Sequence, residues 1–243
     1  EERLLGVSLT GILDHPTLHS DTALLNELRD LAVETNKVWA EKLGIPRSAA
    51  VTCVKPSGTV SQLVDSASGI HTRWSPFYIR TVRGDVKDPM TQFLIDQGVP
   101  HEPDVMKPKD TVVFSFPQKA PTTARTRDSI TALEHLEIWK TLQEHWCEHK
   151  PSITVNVKED EWPEVQAWVW KNWDILSGVS FLPYSEHTYK QAPYQEITEE
   201  EYNEWIQKMP PSIAWERLGD YEKEDHTTGS QELSCTAGLC EII

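Results

Sequence analysis

Short apolar runs alternate with longer amphipathic stretches along most of this chain. The short runs have the length and composition of buried strands, and they span residues 4–11, 49–54, 77–82, 111–116, 152–157 and 178–182. Between them, apolar residues recur at helical spacing, which predicts helices at 20–44, 88–98, 129–149 and 164–173. Alternation of strands with helices is typical of an α/β fold.

The first helix has the clearest boundaries. Ser20 or Asp21 can cap its N-terminus, and Gly44 followed by Pro46 predicts its end. Its apolar positions are expected to face a core, and they are Leu24, Leu25, Leu28, Leu31, Ala32, Val38 and Trp39.

Composition narrows the class of protein. The 243 residues are 38% hydrophobic and 25% charged, and no apolar run approaches the roughly 18 residues of a membrane span. The net charge of -15 argues against a protein that coats nucleic acid, and four cysteines are too few for a disulfide scaffold. We therefore expect a soluble, acidic, cytoplasmic protein with no membrane or nucleic-acid partner.

The start of the chain suggests a piece of a longer protein. The sequence has no initiator Met and begins at the edge of its first predicted strand. A natural start normally leaves some residues before the first core element, and no secretory leader is present.

The composition changes near residue 186. Beyond this point Pro, Tyr and Glu dominate, and no strand is predicted. From Glu196 to Ile243 the chain has 12 acidic and 3 basic residues, which predicts a solvated or disordered tail. We therefore expect an α/β part at 1–185 and an acidic C-terminal extension at 186–243.

The first candidate site is the turn Lys55-Pro56-Ser57-Gly58-Thr59-Val60-Ser61, which follows a predicted buried strand. A helix is predicted to begin at Gly58 or Thr59, and a helix N-terminus offers free N–H groups and a positive dipole end to an anion. The hydroxyls of Ser57, Thr59 and Ser61 add donors. The turn lacks the Gly-Lys-Ser/Thr ending of a Walker loop, and its pattern alone is more typical of a plain capping turn.

The second candidate is the cysteine pair near the end of the chain. Cys235 and Cys240 have four residues between them, including Gly238, and can fold back to disulfide distance. An acidic tail offers no core for structural cysteines, so redox or metal chemistry is expected. Metal is the weaker choice because only His226 is nearby, and no metal site is predicted.

The remaining chemistry-bearing residues have simpler interpretations. Cys53 and Cys147 fall in a predicted strand and helix, where inert core positions are the default. His71 could face the same cleft as the Ser57 turn, although a hydrogen-bonded or surface histidine is the simpler interpretation. Arg80 and Arg83 could bind an anion, but a solvated strand face explains them equally well.

Several motifs occur in the order and spacing of one protein family. They are Lys55-Pro56-Ser57-Gly58-Thr59-Val60-Ser61, Ser68-Gly69-Ile70-His71, Tyr78-Ile79-Arg80, Val82-Arg83, Val179-Ser180-Phe181-Leu182-Pro183, Gln191-Ala192-Pro193-Tyr194 and the closing Cys-x4-Cys. Together they resemble the C-terminal third of an adenosylcobalamin-dependent (class II) ribonucleotide reductase. The monomeric ribonucleoside-triphosphate reductases are the most similar branch.

The resemblance implies a fold and an activity. It implies the later strands and helices of a ten-stranded α/β barrel at 1–185, followed by a flexible acidic tail at 186–243. The implied reaction converts ribonucleotides, as triphosphates, to 2′-deoxyribonucleotides through a thiyl radical that adenosylcobalamin initiates.

The resemblance also implies roles for both candidate sites. The loop residues Ser57, Gly58, Thr59, Val60 and Ser61 would hold the substrate phosphates. Cys235 and Cys240 would be a dithiol that re-reduces an active-site disulfide and is itself reduced by thioredoxin. The radical cysteine is expected upstream, so the chain would need the missing N-terminal part of the reductase, as a fragment or as a split half.

Two other classes stay open. One is the large subunit of an oxygen-dependent, two-subunit ribonucleotide reductase. The Ser-Gly-Thr sequence of the loop argues against it. The other is a non-enzymatic protein that docks thioredoxin through its tail, which leaves the Ser57 turn unexplained.

Overall fold

A computed structural model describes residues 3–55, 57, 60–185 and 189–223 of the chain. Its strands are β1 (Val7–Ser8), β2 (Thr52–Cys53), β3 (Phe77–Asp85), β4 (His101–Pro103), β5 (Thr111–Lys119), β6 (Ser152–Val157), β7 (Gly178–Pro183) and β8 (Tyr194–Glu196). Its helices are α1 (Thr22–Leu43), α2 (Val60–Leu63), α3 (Pro89–Asp96), α4 (Ala132–His145), α5 (Trp162–Lys171), α6 (Glu199–Lys208) and α7 (Leu218–Tyr221). None of the helices within these ranges combines the length and the apolar character that crossing a bilayer requires.

The ends of α1 lie where the sequence predicts them. The Asp21 side chain accepts a hydrogen bond of 3.0 Å from the Leu24 N–H and so caps the first turn. At the other end, Gly44 adopts a left-handed conformation with φ of 64°. Glycine takes this conformation without a Cβ penalty, which is why it ends helices so often.

The described residues form two compact units. Residues 3–76 and 120–185 make the first unit, and residues 77–119 and 189–223 make the second. The composition change near residue 186 therefore coincides with a unit boundary. The segment 77–119, however, belongs with the residues after that boundary, a grouping that the order of residues along the chain does not indicate.

The first unit contains two parallel strand pairs. β1 pairs with β2, and β6 pairs with β7 along its whole length. Helix α5 connects β6 to β7, as a parallel pair requires a crossover. One face of β6 and the inner faces of α4 and α5 bury the largest apolar side chains, among them Leu136, Trp139, Leu142, Ile153, Val155 and Trp168.

The second unit is built on an antiparallel sheet. The strand order is β4–β5–β3–β8, and β3 pairs with β5 over nine residues. Phe93 of α3 is fully buried and packs against the rings of Trp215 and Tyr221, with centroids 5.5 and 5.4 Å away. The strands therefore pair in parallel in the first unit and antiparallel in the second.

The prediction that strands disappear after residue 186 is wrong. β8 pairs with β3, and α6 follows with a capping box in which Thr198 and Glu201 each bond the other's backbone N–H. Tyr202 of α6 packs on Phe77, with ring centroids 5.3 Å apart. The disordered tail expected from Glu196 onward is therefore wrong as far as α7, and residues 224–243 lie outside the described residues.

Two predictions of burial are also wrong. The expected strand at 4–11 is confined to β1, and Leu4 and Val7 are 54% and 44% exposed. On α1, Leu25 is buried, but Leu31 and Trp39 are 63% and 55% exposed. Helical spacing identifies an apolar face correctly, but it does not say whether another element within the chain covers that face.

Candidate functional site

The predicted anion loop follows β2, at the carboxyl end of a parallel strand. Ligands of α/β folds bind at such ends. Of the five predicted phosphate-contacting residues, Ser57, Val60 and Ser61 are described, whereas Gly58 and Thr59 lie outside the described residues. A helix follows the turn as predicted, but α2 begins at Val60 and has only four residues.

The Ser57 side chain is held by Thr10, which follows β1. Their hydroxyl oxygens are 3.1 Å apart, and Thr10 Oγ1 also donates to the Ala67 carbonyl at 2.9 Å. A threonine hydroxyl has one proton, so Ser57 is the donor in the bond to Thr10. Thr10 completes its bonding by accepting the Gly69 N–H at 3.1 Å.

Ser61 supports the loop from inside. The residue is fully buried, its hydroxyl donates to the Ser57 carbonyl at 2.5 Å, and its N–H donates to the same oxygen at 3.1 Å. Both donors of Ser61 are therefore used within the turn, whereas Val60 is 65% exposed.

A buried ion pair lies behind this loop. The Arg73 side chain is 2% exposed, and its Nη2 contacts Asp14 Oδ2 at 2.8 Å while its Nη1 contacts Asp65 Oδ1 at 3.0 Å. Asp14 Oδ2 also accepts the Ala67 N–H at 2.9 Å. Arg73 and Asp14 thus tie together the segments that carry the partners of Thr10, at a place where an unpaired charge would be costly.

Gly69 is required where the chain returns past β2. Its φ is +54°, and a Cβ at this position would lie 2.8 Å from the Lys55 carbonyl oxygen and 3.2 Å from Val54 Cγ1. Glycine is the residue that combines a left-handed conformation with so close an approach of backbone to backbone.

His71 is a structural histidine in the described residues. Its Nε2 accepts the Thr154 N–H at 3.1 Å, so Nδ1 carries the proton and donates to the Ser68 carbonyl at 3.0 Å. Burial lowers the pKa of His71 below its usual value, which agrees with a neutral ring. It links the segment after α2 to β6, in agreement with the simpler interpretation of this residue.

A second buried histidine was missed by sequence reasoning. His135 of α4 lies beside His71, with ring centroids 6.2 Å apart, and its Nε2 donates to the Ile70 carbonyl at 2.8 Å. Burial lowers the pKa of His135 to about 4. Its only signal in the sequence is its position on the apolar face of α4.

The cysteines fall into two groups. Cys53 is fully buried, and burial raises the pKa of the half-buried Cys147 to about 12, so the thiol stays protonated. Both observations agree with the inert roles predicted for them. Cys235 and Cys240 lie outside the described residues, and the described residues contain no His, Cys, Asp and Glu cluster able to hold a metal ion.

Arg80 and Arg83 are engaged within the second unit. Arg83 Nε donates to Asp104 Oδ2 at 2.8 Å, and Arg80 Nη1 donates to the Tyr194 hydroxyl at 2.5 Å. These contacts join β3 to the segments beside it. Neither arginine needs an external anion to account for its position.

Curated relatives resemble the chain over most of its length. A probable adenosylcobalamin-dependent ribonucleoside-triphosphate reductase of Dictyostelium discoideum is 31% identical, in an alignment that covers 99% of this chain and 32% of that protein. The adenosylcobalamin-dependent ribonucleoside-triphosphate reductase of Euglena gracilis is 33% identical over 87% of this chain and 30% of its own length. No protein-family model matches the chain.

A solved structure gives the same result for the fold. The crystal structure of a B-12 dependent (class II) ribonucleotide reductase superposes with a TM-score of 0.72, at 24% identity, covering 85% of this chain and 29% of that one. This superposition confirms the predicted α/β fold class. The curated relatives confirm the family resemblance predicted from the motifs. The chain spans about a third of the length of the curated relatives it matches.

Proposed function

We propose that this chain is a working part of an adenosylcobalamin-dependent ribonucleoside-triphosphate reductase. The proposal rests on its similarity to about a third of the length of such enzymes. The observation that carries the proposal is the 31% identity to a relative of that name over 99% of the chain. The two parallel strand pairs of the first unit would belong to the ten-stranded barrel. The substrate would be a ribonucleoside triphosphate, and the product the 2′-deoxyribonucleoside triphosphate.

In this proposal the loop after β2 anchors the substrate phosphates. Ser57 lies at the carboxyl end of a parallel strand, and its side chain and carbonyl are fixed from two sides by Thr10 and Ser61. The hydroxyl proton of Ser57 points at Thr10, so it would turn toward a phosphate oxygen on binding. Backbone N–H groups of Gly58, Thr59 and Val60 would supply further donors to the anion.

The tail dithiol would supply the electrons. A thiolate of Cys235 or Cys240 attacks one sulfur of the oxidised active-site disulfide and forms a mixed disulfide. The second tail thiol then displaces the remaining active-site sulfur, which leaves that pair reduced by two electrons and the tail as a disulfide. Thioredoxin would return the tail pair to the dithiol in the same way.

The radical chemistry would come from the cofactor. When bound, adenosylcobalamin supplies the initiating radical, and the protein supplies position and the exclusion of water. We assign no residue of this chain to the cofactor. The radical cysteine and the cysteines oxidised with the substrate would lie on the rest of the reductase, as the family resemblance implies, since neither Cys53 nor Cys147 matches such a position.

An anaerobic reconstitution tests the proposal. Deoxynucleotide formation is measured with adenosylcobalamin and thioredoxin, for the chain alone and for the chain combined with the N-terminal portion of a reductase. We expect activity only in the combination, and loss of thioredoxin-driven turnover in Cys235→Ser and Cys240→Ser but not in the matched control Cys147→Ala. A small-molecule dithiol should restore turnover in the tail variants.

Three outcomes count against the proposal. Activity of the chain alone would contradict the placement of the radical cysteine elsewhere. Unchanged thioredoxin-driven turnover in both tail variants would contradict the role of the tail. Thioredoxin binding without nucleotide reduction in any combination would favour the docking protein instead.

A further inference from the structure

A small pocket of the first unit lies at the carboxyl ends of β6 and β7. It is lined by Thr72, Arg127, Ile130, Thr131, His135, Asn156, Lys158, Glu161 and Tyr184. We call it the Arg127 pocket. Lys158 directly follows β6 and Tyr184 directly follows β7, so the pocket occupies the edge at which parallel strands present ligand-binding residues.

The guanidinium of Arg127 packs against two aromatic rings. The group lies 4.1 Å from the centroid of the Trp74 ring and 4.7 Å from that of Tyr184, and the side chain is only 13% exposed. Stacking on aromatic faces fixes the plane of an arginine and leaves its edge, which carries the N–H donors, as the side that can bind.

That edge is poorly satisfied within the described residues. Arg127 Nε is buried without a hydrogen-bond partner there, and its distance of 3.6 Å to Asp128 Oδ1 is beyond hydrogen-bond range. Asp128 Oδ1 instead accepts the Tyr184 hydroxyl at 2.5 Å. The Ser185 carbonyl lies at 3.5 Å from Nη1. A guanidinium has five N–H donors, and shielded donors without acceptors are costly.

The charged side chains that line the pocket favour an anion. The carboxylate of Glu161 is used by backbone groups, since Oε1 accepts the Ala132 N–H at 3.0 Å and Oε2 accepts the Lys158 N–H at 2.8 Å. The Lys158 ammonium lies 5.5 Å from the Tyr184 ring, and among the described residues it has no carboxylate within ion-pair distance. Arg127 has one carboxylate at ion-pair distance, Asp128 at 3.6 Å from Nε, and that carboxylate also accepts the Tyr184 hydroxyl. The pocket thus presents two cations beside one partly engaged carboxylate, whereas its own lining carboxylate is already bonded.

We propose that the Arg127 pocket binds a phosphate group, with the guanidinium edge of Arg127 as the principal donor and Lys158 as the second charge. A planar fork of N–H donors matches the geometry of a phosphate oxyanion. Thr72 and Asn156 line the same pocket and add a hydroxyl and an amide. The site is separate from the Ser57 loop and stands on different residues.

Calorimetric titration of the full chain with sodium tripolyphosphate at low ionic strength tests the site. We expect Arg127→Gln to weaken binding about 10-fold or more, since a charge-assisted bond is lost, and Lys158→Gln to weaken it by up to about 5-fold. Arg127→Lys, which keeps the charge but loses the fork, should fall between wild type and Arg127→Gln. Lys171→Gln, an exposed lysine outside the pocket, is the matched control and should bind as wild type.

Further arms identify the source of the phosphate and separate the two sites. A ribonucleoside triphosphate and adenosylcobalamin, whose nucleotide tail contains a phosphodiester, replace tripolyphosphate, and the one with Arg127-dependent affinity is the source. Ser57→Ala reports on the loop alone. Binding that falls in Ser57→Ala but is unchanged in folded Arg127→Gln and Lys158→Gln would overturn the pocket and leave the proposed function standing. Equal affinity of all variants, or no binding, would also overturn the pocket.

Discussion

The Ser57 loop and the Arg127 pocket differ in whether their hydrogen-bond donors have acceptors within the protein. Around Ser57 the described donors are paired with protein acceptors, through Thr10, Ser61 and the Arg73–Asp14 ion pair. At the Arg127 pocket a shielded cation keeps donors that the described residues leave unused. Hydrogen bonds within the protein fix the shape of the loop, whereas donors without acceptors can bind a ligand at the pocket. Separate substitutions can therefore test the stability of the first region and the binding by the second.

The largest effect is expected from the ion pair behind the loop. Asp14→Ala removes the carboxylate that lies 2.8 Å from Nη2 of the buried Arg73 side chain, and breaking a buried pair in this way costs about 3–5 kcal/mol of unfolding free energy. Urea denaturation of the full chain measures this cost. Asp30→Ala removes an exposed carboxylate that pairs with Arg29 and should change stability by less than about 1 kcal/mol. Equal effects in the two variants would contradict a structural role for the buried pair.

The next effect is a loss of stability in acid. His135 has a pKa of about 4 in the folded chain, below the usual 6.5, because burial disfavours its charged form. The unfolded chain therefore binds the extra proton between these values, so the contribution is full above about pH 6.5 and falls by about 3 kcal/mol as the pH approaches 4.

Denaturation curves at several pH values measure this dependence. His135→Gln keeps a side-chain donor for the Ile70 carbonyl but removes the titrating ring, and it should flatten the profile between pH 4 and 6.5. A profile that stays as steep in His135→Gln would assign the acid sensitivity to other groups.

The smallest expected effect is a difference in stability between alanine variants of two glycines with similar φ. This difference separates the cost of steric crowding from that of backbone strain. Gly69→Ala would place a methyl 2.8 Å from the Lys55 carbonyl, whereas Gly44→Ala meets no atom within 4 Å. Both substitutions incur about 1–2 kcal/mol for the left-handed conformation, and only Gly69→Ala should cost about 1 kcal/mol more. Thermal or urea unfolding of both variants gives the difference. Equal losses would mean that the segment after β2 yields readily to the new methyl group.

Much of the fold could be predicted from local signals. The caps of α1, the turn after β2 and the helical spacing of α4 are properties of neighbouring residues, and their elements lie close to their predicted positions. The missed elements have local signals as well. The capping box Thr198/Glu201 of α6 was overridden by the acidic charge of its surroundings.

The site was less predictable because its partners are distant in the chain. Thr10 and Ser57 are 47 residues apart, and Arg73 and Asp14 are 59 apart, so no pattern along the sequence couples them. Arg127 gave no signal at all, since stacking between Trp74 and Tyr184 depends on the tertiary fold. The motifs predict the loop, whereas the contacts that hold it depend on the tertiary fold.

The exposed side chains of α1 and of the residues before β1 have a consequence for handling the chain in solution. Leu4, Leu31 and Trp39 present apolar surface to water, and such surfaces attract one another. The net charge of -15 opposes this attraction through repulsion between copies. Because added salt screens that repulsion within about 10 Å at 0.1 M, the chain should stay dispersed in dilute buffer and self-associate as the ionic strength rises.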